Sequence, residues 1–220
     1  MLSGIWPIVH SAEISCSQQS AGLPSSPIIL NPAPENTRAA EDAGADIIVA
    51  TGFDEGGTLP GMTLGTFSIV PLIKDAVKNV PVMAAGGIAD RRAFNAALAL
   101  GAEGVYCGTA FLMSKESRMA QNVKEALLGA TARDLLLFRT MPDYYRSYPG
   151  DLARELVTMD KAGASNEELG RKMGGFENLR IGMVEGDMDR GYVSVGNGIT
   201  HIHEIKSVQE IIDELTADWR

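Results

Sequence analysis

From residue 27 onward, short apolar runs alternate with longer amphipathic ones. "PIILN" reads as a strand, and "PENTRAAEDAG" after it as a helix that stops at Gly44. "DIIVATG" repeats the strand signal. After a loop, "TFSIVPLIKDAVKN" is helical around Pro71, and "VPVMAAGG" is a third strand. "DRRAFNAALALG" predicts a helix capped by Asp90 and ended by Gly101, and "GVYCGTAF" a fourth strand. Continuous apolar strands joined by helices are parallel strands buried on both faces, so the chain is α/β.

Past residue 113 the rhythm changes. "SRMAQNVKEALLGATARDLLLF", "GDLARELVTMDKAG" and "SNEELGRKMGG" are polar on one side, which predicts a helical appendage over 114–185. The segment 186–220 returns to the α/β part. There "SVQEIIDELTADW" sets Val208, Ile211, Ile212, Leu215 and Trp219 on one apolar stripe. The division expected is therefore a lead-in over 1–26, four βα units over 27–113, the appendage, and a closing segment with a C-terminal helix.

Composition narrows the function. The formal charge of −9 excludes a broad nucleic-acid or anionic-membrane footprint, which needs surplus Lys and Arg on one face. Cys16 and Cys107 lie far apart with no metal-ligand spacing, so neither a disulfide framework nor a metal site is expected, and a cytoplasmic setting fits. No run of about 18 apolar residues marks a membrane span, and the N-terminus lacks the basic region of a signal peptide.

The chemistry is written in glycines. In parallel α/β folds, ligands bind at the carboxyl ends of the strands. Ala85-Gly86-Gly87 ends the third strand and Gly108-Thr109 the fourth. Two adjacent strand ends with bare N–H groups form a seat for a phosphate monoester, and a helix N-terminus would add positive potential without a Lys. Gly56-Gly57, after the second strand, would let a flat ring approach the backbone. Asp54 and Glu55 beside them read equally as solvated loop acids or as acid/base groups.

At "AGADIIVATGFDEGG", "PVMAAGGIAD", "ALALGAEGVYCGTAFLMSKES" and "VEGDMDRGYVSVGNGI", in this order from about residue 27 to 200, the chain resembles the FMN-dependent nitronate monooxygenase family. That family also includes flavin-dependent enoyl-acyl-carrier-protein reductases. The resemblance implies the C-terminal half of a (β/α)8 barrel with FMN at its mouth. Ala85, Gly86, Gly87, Gly108 and Thr109 would hold the phosphate, and Gly56 and Gly57 would lie along the isoalloxazine ring.

Two departures shape the expectation. Many members carry a proton-handling His after the second Gly of the loop; here Thr58 stands there, and no catalytic residue is singled out. His10, His201 and His203 read as structural or surface residues. Ala110 stands where the family often has Arg. The second departure is size, since a whole barrel takes about 250 residues. The chain is then expected to be a truncated product, a subunit completed by a second chain, or a half-barrel homodimer. The alternatives are an enoyl reductase-like protein, a non-catalytic fragment or interaction subunit, and a phosphosugar or nucleotide-monophosphate enzyme.

Overall fold

The computed structural model of the chain describes residues 28–31, 34–140 and 143–219. The lead-in expected over 1–26, with His10 and Cys16, lies outside them. Four parallel strands, β1 (Ile28–Asn31), β2 (Ile47–Thr51), β4 (Val82–Ala85) and β5 (Gly104–Tyr106), pair in the order β1-β2-β4-β5. The helices α1 (Pro34–Asp42), α2 (Thr66–Ala76), α3 (Arg91–Ala99) and α4 (Thr109–Leu112) follow them in turn. This is half of a (β/α)8 barrel, as expected.

The local signals act as the pattern predicts. The Asp90 carboxylate accepts the Ala93 N–H at 2.9 Å and starts α3, while Gly44 and Gly101 close helices with φ of 91° and 99°. Pro71 sits inside α2 without ending it. One face of the sheet packs on these helices: Ile48, Ala50, Val82 and Ala84 join Ile69, Val70, Ile73 and Ala97 in one core. By the two-residue alternation of a strand, Val49, Thr51, Met83 and Ala85 point to the opposite, barrel-interior face.

The fourth strand ends at Tyr106, and Thr109–Leu112 turns helical where the apolar run "GVYCGTAF" had read as strand throughout. The appendage also differs from a purely helical one. After α5 (Gln121–Leu127), the residues read as a continuing helix form β6 (Leu136–Arg139), which pairs antiparallel with β7 (Tyr144–Ser147). The leucines favour either state, and cross-strand packing decides it: Phe138 stacks on Tyr145 with ring centroids 5.8 Å apart. Helices α6 (Asp151–Lys161), α7 (Asn166–Met173) and α8 (Gly175–Met183) cover this hairpin around Phe138, Leu156, Leu169 and Met173.

The short strand β3 (Gly57–Thr58) pairs with β7, which couples the loop after β2 to the appendage. In the closing segment Asn197–His201 forms a 3-10 helix. Helix α9 (Val208–Leu215) buries Ile211 and Leu215, but Ile212 is exposed, and Trp219 lies beyond the helix with its ring edge-on to Phe94. The predicted stripe is thus narrower than its spacing suggested.

Candidate functional site

The carboxyl ends of β2, β4 and β5 converge with the loop 52–65 and the segment 193–198. Gly86 and Gly87 take φ of 96° and 73°, a left-handed pair that glycine adopts without a steric penalty. Among the described residues, the N–H groups of Gly86, Gly87, Gly108 and Thr109 donate to no protein acceptor. Ala85 differs, because its N–H belongs to the strand ladder and its carbonyl accepts from the Gly52 N–H at 2.9 Å. The two glycine loops therefore present a cluster of unused main-chain donors at neighbouring strand ends, the arrangement that binds anions.

Helix dipoles add less than expected. After Gly86-Gly87 the helix begins only at Arg91 and is already capped by Asp90, and α4 is a single turn. The donors at this corner are loop amides together with that of Thr109, the first residue of the single turn.

The missing side chains have separate causes. A methyl group at Gly56 would overlap the Val195 carbonyl carbon, so that glycine is required by the protein's own backbone. At Gly86 a methyl group would stand 2.7 Å from the Gly52 carbonyl oxygen. Gly87 would meet the Asp54 Cβ at 3.0 Å, and Gly57 faces the Tyr145 and Ser194 hydroxyls at 3.7 Å. Gly108 differs from all of these: a methyl group there meets nothing within 4 Å, and its φ of −91° suits any residue.

Asp54 and Glu55 have opposite environments. Asp54 is a structural clamp: its carboxylate accepts the Thr66 N–H at 2.8 Å and the Asn197 side-chain amide at 2.9 Å. Its carbonyl takes the Asn197 N–H at 2.9 Å. Thr66 Oγ1 in turn donates to the Gly86 carbonyl at 2.7 Å. The Thr109 hydroxyl accepts the Gly196 N–H at 2.9 Å, which leaves its own main-chain amide as the unused donor.

Glu55 has no hydrogen bond to its carboxyl among the described residues. Burial pushes its pKa up to about 8, against a lowering influence from the Arg146 guanidinium. Arg146, on β7, donates to the carbonyls of Phe53 (2.6 Å) and Glu55 and lies over the Phe53 ring. Sequence reasoning passed over Arg146, and its acceptors, main-chain carbonyls some 90 residues away, leave no local signal.

The remaining candidates separate clearly. Thr58 pairs with Tyr145, whose hydroxyl shares a hydrogen bond with Ser194. His201 and His203 are exposed, the first with a ring nitrogen 3.4 Å from the Arg92 guanidinium. Burial raises the Cys107 thiol to about 11, which keeps it an inert thiol. A cavity of about 240 Å³ is lined by apolar residues such as Ala110, Met113 and Leu215 and by the polar His201, Glu204 and Lys206. Among the described residues no three His, Cys, Asp or Glu side chains gather as a metal site, and no helix is long and apolar enough to cross a membrane.

Fold and site together define a partial (β/α)8 barrel with a cluster of unused main-chain donors at the strand carboxyl ends. The sequence model of the nitronate monooxygenase family matches residues 14–218, and the chain belongs to that family. It is 40% identical over 126 residues to the "Probable nitronate monooxygenase" of Staphylococcus aureus strain Newman, covering 53% of this chain and 33% of that one. Among solved structures it resembles FabK from Thermotoga maritima (TM-score 0.75, 34% identity, 87% of this chain and 60% of that one). It also resembles the nitroalkane oxidase from Streptomyces ansochromogenes (TM-score 0.70, 26% identity, 86% and 56%). The chain thus spans about a third of the length of the curated relative and less than two thirds of the solved ones.

Proposed function

We propose that this chain forms the FMN-binding half of a flavin-dependent oxidoreductase of the nitronate monooxygenase type, oxidising alkyl nitronates with oxygen when a second half-barrel closes the site. The observation that carries the reading is the set of unused amides at Gly86, Gly87, Gly108 and Thr109 on adjacent strand ends. A phosphate monoester dianion has acceptor oxygens to match them, and the space beside Gly108 gives it access to the backbone. FMN fits this donor set. Gly57, which faces the Ser194 and Tyr145 hydroxyls, would lie along the ring, while Gly56 contributes by letting the loop pack on Val195.

Bound flavin would supply the electron transfer between substrate and oxygen. The chain's own part is to hold the phosphate, to fix the ring against the loop 52–58, and to keep that loop in place through Asp54 and Arg146. Thr58 cannot serve as a base near neutral pH. The second half-barrel would come from another chain, from a second copy, or from residues joined to this one.

The test is direct. Purified protein incubated with FMN should turn yellow and release FMN on denaturation. Gly108→Val, which fills the open space, should weaken FMN binding by at least thirtyfold, about 2 kcal/mol, with an unchanged circular dichroism spectrum. Protein that takes up no FMN would overturn the proposal. Oxygen uptake with an alkyl nitronate, against NADH oxidation with an enoyl thioester, separates the nitronate chemistry from the enoyl reductase reading that the likeness to FabK also admits.

A further inference from the structure

Arg146 is a buried cation, 8% exposed, on β7 beside the loop 52–58. Its Nη1 alone grips that loop, donating to the carbonyls of Phe53 at 2.6 Å and of Glu55. The edge formed by Nε and Nη2 holds the remaining donors, in the fixed fork that suits two oxygens at once. Among the described residues no acceptor takes a hydrogen bond from that edge. Arg139, on the neighbouring strand β6 and less buried, uses the same edge fully. Its Nε donates to the Asp160 carboxylate, and its Nη2 to the Asp160 and Ala164 carbonyls at 3.5 and 3.2 Å. The Arg146 edge is not sealed either. Among the described residues, the side-chain polar atom that is both shut off from solvent and unpaired is the Thr51 hydroxyl oxygen, so the unpaired atoms of Arg146 and of the Glu55 carboxyl reach accessible space.

The groups around Arg146 leave this edge free. The acids that act on it are Asp54 and Glu55, both on the loop. The Asp54 carboxylate is already held by the Thr66 N–H and the Asn197 side-chain amide. Burial raises the Glu55 pKa to about 8, so that carboxyl is mostly neutral at pH 7. The Phe53 ring lies against the guanidinium, 5.3 Å from its carbon to the ring centroid. The other segments packed on the loop bring Gly86, Gly87, Thr66, Ser194, Val195 and Asn197, none of them charged.

A buried fork with an accessible, unpaired edge matches a planar anion that carries two oxygens on one atom, a carboxylate or its isostere. A nitronate is such an isostere, because its two oxygens share one negative charge on a planar nitrogen. We infer that the Nε–Nη2 edge of Arg146 binds the two oxygens of the nitronate group, and that Glu55 keeps the edge free by staying neutral. The inference rests on the nitronate reading above and names the residue that recognises the ionised substrate. An ionised Glu55 would be a resident carboxylate beside the guanidinium and would compete for it.

The experiment titrates the flavin-free chain calorimetrically with 2-methylpropanoate, which has the heavy-atom skeleton of propane-2-nitronate and stays ionised from pH 6 to pH 9. If the anion binds while Glu55 is neutral, its apparent affinity scales with the neutral fraction. At pH 9 about a tenth of the chain is still neutral at Glu55, so wild type should bind about tenfold more weakly than at pH 6. Glu55→Gln should bind alike at both pH values. Arg146→Lys, which keeps the charge and loses the fork, should bind at least about tenfold more weakly than wild type at pH 6. Should that variant fail to fold, the comparison of wild type with Glu55→Gln still decides. A wild type that does not bind 2-methylpropanoate at pH 6, an affinity that is equal at pH 6 and pH 9, or a Glu55→Gln chain that keeps the drop overturns the inference. FMN uptake by the same preparations separates the two readings, since the phosphate seat does not involve Arg146. A chain that takes up FMN and fails the carboxylate test loses this inference alone. One that shows the carboxylate profile without FMN uptake keeps the anion site and loses the flavin reading.

Discussion

Glu55→Gln tests the electrostatics of the site without reference to any ligand. The wild-type carboxyl has a folded pKa of about 8 against 4.5 for the free group, raised by burial and held back only partly by Arg146. Because the folded state binds the proton more tightly than the unfolded one, stability is full below about pH 4.5 and is lost as pH rises through 8. Each unit of pH in that window removes ~1.36 kcal/mol. Between pH 6 and about pH 8 the folded chain keeps the proton that the unfolded chain has already lost, and above pH 8 both are ionised and the curve levels off, so by pH 9 wild type should lose roughly 3 kcal/mol from this group.

Glutamine cannot ionise and should lose none of it. Urea denaturation of both proteins at pH 6 and pH 9 gives the difference directly, because every other titrating group cancels in the comparison. Two parallel stability curves would refute the argument, since they would mean that the Glu55 carboxyl is solvated and titrates alike in both states. Arg146→Met supplies the internal check. Loss of that guanidinium removes the influence that lowers the Glu55 pKa, and the carboxyl should then titrate at a higher pH, read by the carboxylic acid C=O stretch in infrared difference spectra.

Other predictions divide the glycines and acids by role. Gly56→Ala should destabilise the protein by about 3 kcal/mol in chemical denaturation, because the methyl overlaps backbone that has nowhere to move. Gly108→Ala should change stability by about 0.5 kcal/mol or less and instead lower FMN affinity in a fluorescence titration. Asp54→Ala should cost about 3 kcal/mol in the same denaturation assay, since the Thr66 N–H and the Asn197 amide lose a charged acceptor together; Asp54→Asn should recover part of that loss. A valine at Gly87 would be a poor probe of binding, because its φ of 73° and the nearby Asp54 Cβ would strain the fold itself.

The alternation of strand and helix was legible because it is local. Apolar runs such as Ile47–Thr51 and Val82–Ala85 need no distant partner to be recognised, and Asp90, Gly44 and Gly101 act within one turn of where they stand. The hairpin β6–β7 was not legible. Leu136 and Leu137 continue a helical pattern, and what turns them into strand is Tyr145 stacking on Phe138 from the other arm. Gly86-Gly87 and Gly108 were visible as strand-end glycines. The different reason for Gly56 lies in Val195 and Gly196, which touch it from about 140 residues away.

These non-local contacts explain why the appendage matters to the site. The loop 52–58 is tied at three places: Asp54 joins it to α2 and to Asn197, Arg146 grips the carbonyls of Phe53 and Glu55, and Gly57-Thr58 pairs with β7. Two of the three ties come from β7, and β7 keeps its place only because Phe138, Leu156 and Leu169 form a core of their own around it. A loop that bears an acid with a raised pKa must exclude water steadily, or the carboxyl would return to its solvated value. The hairpin with α6–α8 therefore sets the chemistry at Glu55 through packing, even though none of its helices reaches the strand ends. It follows that a cavity cut into that core, for example by Leu156→Ala, should bring the Glu55 titration back toward 4.5 before the barrel half itself unfolds.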